Sequence, residues 1–248
     1  MRKERMKTKN VLILAVCFPL AGLFSSCDDG RIYEEQIVIP QEGLSLKMTG
    51  NICNIGDWPS GYSLVVAGFN EGSEYAVVSK IVPNPSADGG KVEVEMSGIT
   101  DEVTRVEFCV TDRLRRRVHT FHKMDVADAV DGVVVMDVGQ QDVGMYGVVQ
   151  DEVFTPSCAA CHGASAGGAA AGLYLTEGRS YAALVDQPAT CDPGMLRVCP
   201  GDAGNSFLYL VLNRDGDTGH PHTDILDAKR KTVLLNLIED WIDKGAQP

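Results

Sequence analysis

The sequence predicts two regions of different class behind an N-terminal leader: an all-β sandwich, then an all-α segment. Three observations predict it. Between residues 31 and 140 apolar and polar side chains alternate with a period of two, and clusters of Gly, Pro, Asn and Asp interrupt them. After about residue 142 the apolar spacing changes to three and four. Ahead of both, a basic stretch runs directly into a short apolar one.

The leader reads MRKERMKTKN, VLILAVCFPLAGLF, SSCDD. A basic start, an apolar run and a small-residue exit make a secretory signal. The run is too short for a membrane span. Phe24-Ser25-Ser26-Cys27 resembles a bacterial lipoprotein signal. The resemblance implies a signal peptide over residues 1–26, lipidation of Cys27, and an anchor or linker over 27–35. Asp28 and Asp29 follow at once, as in lipoproteins of the Bacteroidetes type. Export with a lipid anchor in the bacterial cell envelope is therefore expected, at the outer membrane, on its periplasmic face or at the cell surface.

Strands are expected at Gln36–Ile39, Leu44–Met48, Tyr62–Val66, Tyr75–Val82, Lys91–Met96, Val103–Val110, Arg117–Phe121 and Val133–Val138. Asn70-Glu71-Gly72, Pro83-Asn84-Pro85, Asp88-Gly89-Gly90 and Asp131-Gly132 supply turns. Short strands at this spacing predict an immunoglobulin-like sandwich over residues 36–140. The Arg115-Arg116-Arg117 run reads as a solvated edge that discourages pairing. His119 and His122 read as structural or solvent-facing.

From residue 141 the pattern is helical. Val148, Val149, Val153 and Phe154 share a face, and the helix is expected to stop at Pro156. Ser180 is expected to cap a short helix to Val185, and Asn205-Ser206 opens another. The last stripe is the clearest: Val233, Leu234, Leu237, Ile238, Trp241 and Ile242, with Asp227 as a cap and Gly245 as a stop.

The chain has 248 residues and a net charge of −12, or −16 once the leader is set aside. So acidic a surface makes nucleic acid a poor partner. Of eight cysteines, Cys17 and Cys27 belong to the leader and its exit. The six left suggest pairing in an oxidising compartment. Cys53 with Cys109 and Cys191 with Cys199 are the possible disulfides, worth roughly 4 and 2.5 kcal/mol in the chain-entropy picture.

Cys158-Ala159-Ala160-Cys161-His162 carries the chemistry. Two thiols three positions apart match the two vinyl groups of one porphyrin, and the adjacent histidine then faces its iron. A redox dithiol would need a βαβ setting, which is missing here. A zinc site completed by His220 and His222 would have unusual spacing.

Residues 144–246 resemble a cytochrome c domain of the class I type. The match rests on Cys158 to Gly163, Gly172 to Leu175, Ser180 to Val185, Arg197 to Asp202, Asn205 to Leu208 and Ile238 to Ala246. The resemblance implies a C-terminal all-α cytochrome c domain over 141–248, which with the N-terminal all-β immunoglobulin-like sandwich makes the expected two-domain fold. It implies one covalent haem c on Cys158 and Cys161, with His162 as proximal ligand.

In that family a Met-Pro pair before the last helix completes the iron. Here the loop reads Gly219-His220-Pro221-His222. His220 takes the methionine's place, with His222 and then Met195 as alternatives and an open iron as the remaining case. Imidazole in place of thioether lowers the reduction potential and leaves no vacancy for peroxide. The expected function is electron transfer with a redox partner protein or a small electron acceptor, rather than catalysis. The alternatives are a surface binding lipoprotein with haem as redox sensor, and a peroxidase-like haem enzyme with an open iron.

Overall fold

The computed structural model describes residues 43–163, 168–214 and 220–248. The leader, Cys27 and the Gln36–Ile39 segment lie outside the described residues. Among the described residues seven strands form two sheets: β1 (Leu44–Cys53), β2 (Tyr62–Phe69), β3 (Ala76–Ile81), β4 (Gly90–Ile99), β5 (Arg105–Asp112), β6 (Arg117–Asp125) and β7 (Val133–Asp142). One sheet runs β4-β1-β7, with β1 antiparallel to β4 and parallel to β7. The other runs β3-β2-β5-β6 and is antiparallel throughout.

The period of two explains which faces meet. Val92, Val94 and Met96 of β4 point inward while Lys91, Glu93 and Glu95 face water. Leu46, Met48 and Ile52 of β1 join Leu64, Val66, Val106 and Phe108 of the facing sheet in one buried cluster. β2 and β5 are buried on both faces. On the outer face the Glu107 carboxylate is buried between Arg105, Arg117 and Thr120, at 2.8, 2.7 and 2.5 Å. A buried carboxylate needs such company.

Helices follow: α1 (Met145–Val149), a π-helical stretch (Gln150–Cys158), α2 (Ala159–His162), α3 (Ser180–Leu184), α4 (Phe207–Asn213) and α5 (Lys231–Asp243). The first three are continuous. The helix expected to stop at Pro156 passes through it, because the wider turn accommodates a residue that has no N–H to donate. Ser180 does not cap α3. Its hydroxyl is buried and donates to Gln150 Oε1. Asp227 Oδ1 accepts from the backbone N–H groups of Lys229 and Arg230 at 2.9 and 3.1 Å, a turn ahead of α5.

The expected fold class needs correction. The described chain is mostly β, its helical part is small, and no C-terminal all-α cytochrome c domain is present among the described residues. The reason is packing. The helices do not close a core of their own. They share one with the sheet: Val110 of β5 and Val118 of β6 lie in the same buried cluster as Val149, Phe154, Leu237 and Trp241. Tyr62 of β2 donates to Asp240 of α5 at 2.9 Å. Everything from Gln41 to Pro248 belongs to one compact unit.

Neither expected disulfide forms, since Cys53, Cys109, Cys191 and Cys199 are all free thiols. Cys109 is buried with Val65, Ala67 and Phe69 of its own sheet. Cys53 ends β1 in the other sheet, where its thiol donates to the Gln141 carbonyl at 3.6 Å.

Candidate functional site

A cavity of about 730 Å³ opens between α2, α3, α4 and the loop ahead of α5. That is in the range of cofactor pockets, about 300–1,000 Å³. Cys158, Cys161 and His162 line one side, and His220, Pro221 and His222 another. The remaining wall is mainly Leu, Val, Ile and Phe. Among the described residues, Arg197 is its one permanently charged residue.

Local structure explains these positions. The π-helical stretch delivers Cys158, which is buried, while Cys161 and His162 follow on α2. The chain leaves immediately after His162. Only glycine fits at 163, because a Cβ there would collide with the Ala159 carbonyl oxygen. Leu175 N–H then donates to the His162 carbonyl at 2.7 Å, pinning the turn.

The two imidazoles form the centre of the site. The rings of His162 and His222 stand 6.3 Å apart, centre to centre, with planes 25° from parallel. Each ring is also oriented from behind. His162 Nδ1 donates to the Ala170 carbonyl at 3.1 Å, and His222 Nδ1 donates to the His220 carbonyl at 2.9 Å. A carbonyl only accepts, so Nδ1 carries the proton on each neutral ring and the lone pair sits on Nε2. That is the usual arrangement behind a metal-ligating histidine. Burial pushes the His162 pKa down, with the hydrogen bond to Ala170 opposing it and the charges of His222 and Arg197 adding to it. The ring is thereby kept neutral and able to ligate.

Of the three sixth-position candidates, His222 stands opposite His162. His220 lies in the same wall with its side chain exposed. Met195 does not line the cavity; its backbone closes the turn from Asp192.

The rival chemistries of the Cys-x-x-Cys-His string fare worse. Burial pushes the Cys158 thiol up to about 12, whereas a redox dithiol needs a depressed one. Among the described residues no three His, Cys, Asp or Glu side chains converge as they would round a zinc ion.

Sequence reading assigns no role to Arg197, yet it faces the cavity. Its guanidinium donates to the Ala183 carbonyl at 2.8 Å and to Thr190 Oγ1 at 3.1 Å. With five donors it can still meet a carboxylate. Only the pairing of Arg197 with Thr190, seven residues away, would have pointed to it, and that pairing is visible only in the folded chain.

Thiol exposure predicts a labelling order. Iodoacetamide is expected to modify the exposed Cys161 and Cys191 first. The buried Cys158 and Cys109 should react slower by roughly tenfold or more. Peptide mass mapping over time checks this; Cys158 labelling as fast as Cys161 would contradict its burial.

The chain matches no family model, and no curated protein is significantly similar to it.

Proposed function

We propose that the protein is an exported, lipid-anchored monohaem c-type cytochrome that transfers electrons. The observation that carries this reading is the His162–His222 pair, 6.3 Å apart across an apolar cavity that Cys158 and Cys161 also line. Cys158 and Cys161 would hold the haem through thioether links, His162 and His222 would be its axial ligands, and Arg197 would face its carboxylates. The haem supplies one-electron ferric–ferrous chemistry when bound.

The chain's own residues favour electron transfer over catalysis. The walls are largely apolar. With His162 and His222 both holding the iron, no position would remain for an exogenous ligand. Backbone hydrogen bonds hold both rings in orientation, which keeps reorganisation small. Cys27 would tether the chain to the membrane, and a redox partner protein or a small electron acceptor would meet it in the envelope.

The test compares ferric spectra of the matured protein and two variants. His222→Ala is expected to become high-spin and to bind azide or carbon monoxide. His220→Ala should stay low-spin, with no far-red methionine–iron band in either the parent or this variant. A low-spin His222→Ala protein beside a high-spin His220→Ala one would reverse the ligand assignment. A matured protein of polypeptide-plus-lipid mass, without pigment, would end the cytochrome reading.

A further inference from the structure

The two histidine-bearing segments are joined behind the cavity. Glu152 lies in the π-helical stretch ten residues before His162, and Arg230 lies eight residues after His222. The Arg230 guanidinium donates through Nη1 to Glu152 Oε2. Its Nη2 donates to the Val118 carbonyl of β6 at 2.5 Å. His119, also on β6, donates from Nδ1 to the other carboxylate oxygen, Glu152 Oε1, at 2.7 Å. One carboxylate thus receives partners from the sheet and from the loop that leads to α5.

Further ties run the same way. Arg116 Nη2 donates to the Lys229 carbonyl at 2.9 Å, and Lys231 Nζ donates to the Thr223 carbonyl at 2.5 Å, next to His222. The Glu152 and His119 side chains are only 18% and 14% exposed, so the pairing is shielded from solvent. Burial raises the Glu152 pKa, and hydrogen bonds from His119 and Arg230 more than reverse it, leaving a carboxylate below its usual range.

We propose that Glu152 is a positioning residue: with Arg230 and His119 it clamps the two histidine-bearing walls to the sheet and sets the His162–His222 gap. The sheet is then part of the site rather than a spacer beneath it. This inference rests on the reading above in that the histidine pair ligates one metal. The clamp touches neither ring, so it acts on spacing alone. Losing it should loosen the His222 loop while leaving the covalent attachment through Cys158 and Cys161 intact.

The experiment uses the full matured chain with Glu152→Ala, and Glu152→Gln as the milder change. Covalent haem per polypeptide is expected to equal the parent's in both. The ferric high-spin fraction should rise several-fold in Glu152→Ala and less in Glu152→Gln, and added imidazole should restore the low-spin spectrum. Hydrogen exchange supplies a second readout that does not depend on pigment. Amides of residues 222–230 should exchange several-fold faster in Glu152→Ala, while those of Leu234–Trp241 keep their protection.

Unchanged spin state with unchanged exchange in 222–230 would overturn the clamp. Equal loss of protection in α5 would also overturn it, since Glu152 would then support the fold at large. A parent protein without haem would refute the cytochrome reading instead, and exchange in the haem-free chain would still decide the clamp.

Discussion

A Cys158→Ala, Cys161→Ala double variant is expected to leave maturation with no covalent pigment. Denatured in detergent and run on a gel, it should show no peroxidase stain, and its mass should fall short of the parent's by one haem. The two thiols line one side of the same cavity as His162, so both can reach the edge of a single macrocycle held by that histidine. Either single variant should retain a pigment on one thioether, with a shifted ferrous absorption band. The double variant should also unfold earlier than the matured parent. Its cavity of about 730 Å³ would lose the apolar occupant that its Leu, Val and Ile walls are built to cover. Retention of covalent pigment by the double variant would mean that some other residue carries the link. The exposed Cys191, in the same cavity wall, would be the first to test.

The strands are legible because each half-buried one repeats every second residue. Lys91-Val92-Glu93-Val94-Glu95-Met96 states its own orientation, and β4 follows it. The stripe from Val233 to Ile242 is equally plain, and all six of its residues are buried in α5. A stripe reports that a face is covered but not what covers it. Val110 and Val118 read as ordinary strand residues, and nothing local says that they pack with α5 rather than with the opposite sheet. That missing information produced the expectation of a separate all-α domain. The continuation through Pro156 was hidden for a related reason, since proline normally ends an α-helix and no local pattern announces the π-helical stretch that carries the chain through it.

At the site, Cys158, Cys161 and His162 fall within five residues, so that they share one cavity wall is legible directly. The choice between His220 and His222 depends on which way a loop turns about Pro221, and no pattern encodes it. The contacts of Arg197 with Ala183 and of Glu152 with Arg230 join residues 14 and 78 positions apart. Such pairs arise from the fold and leave no spacing to find.

Trp241→Ala is expected to cost roughly 3–5 kcal/mol and to weaken sheet and helices together. Trp241 is 2% exposed. Its ring packs on Tyr146 at 5.2 Å, and its Nε1 donates to the Gln247 carbonyl at 2.8 Å. Truncation leaves a cavity in the cluster that holds both Val118 of β6 and Phe154 of the π-helical stretch. Against a total stability of about 5–15 kcal/mol, such a loss brings the chain close to unfolding at moderate temperature. The shape of the transition matters as much as its midpoint. In one compact unit, far-ultraviolet circular dichroism and tryptophan fluorescence, which in the variant comes from Trp58 alone, should coincide at one urea midpoint in the parent and at one lower midpoint in the variant. Trp58 tests this well: its Nε1 donates to the Val143 carbonyl at 2.7 Å, and its ring packs on Tyr62, whose hydroxyl reaches α5 at Asp240. A helical region that melts first, with the sheets holding at the parent's midpoint, would restore two independent domains. The cavity would then be a property of the helices alone, and the sheet-mounted clamp at Glu152 would have nothing to transmit.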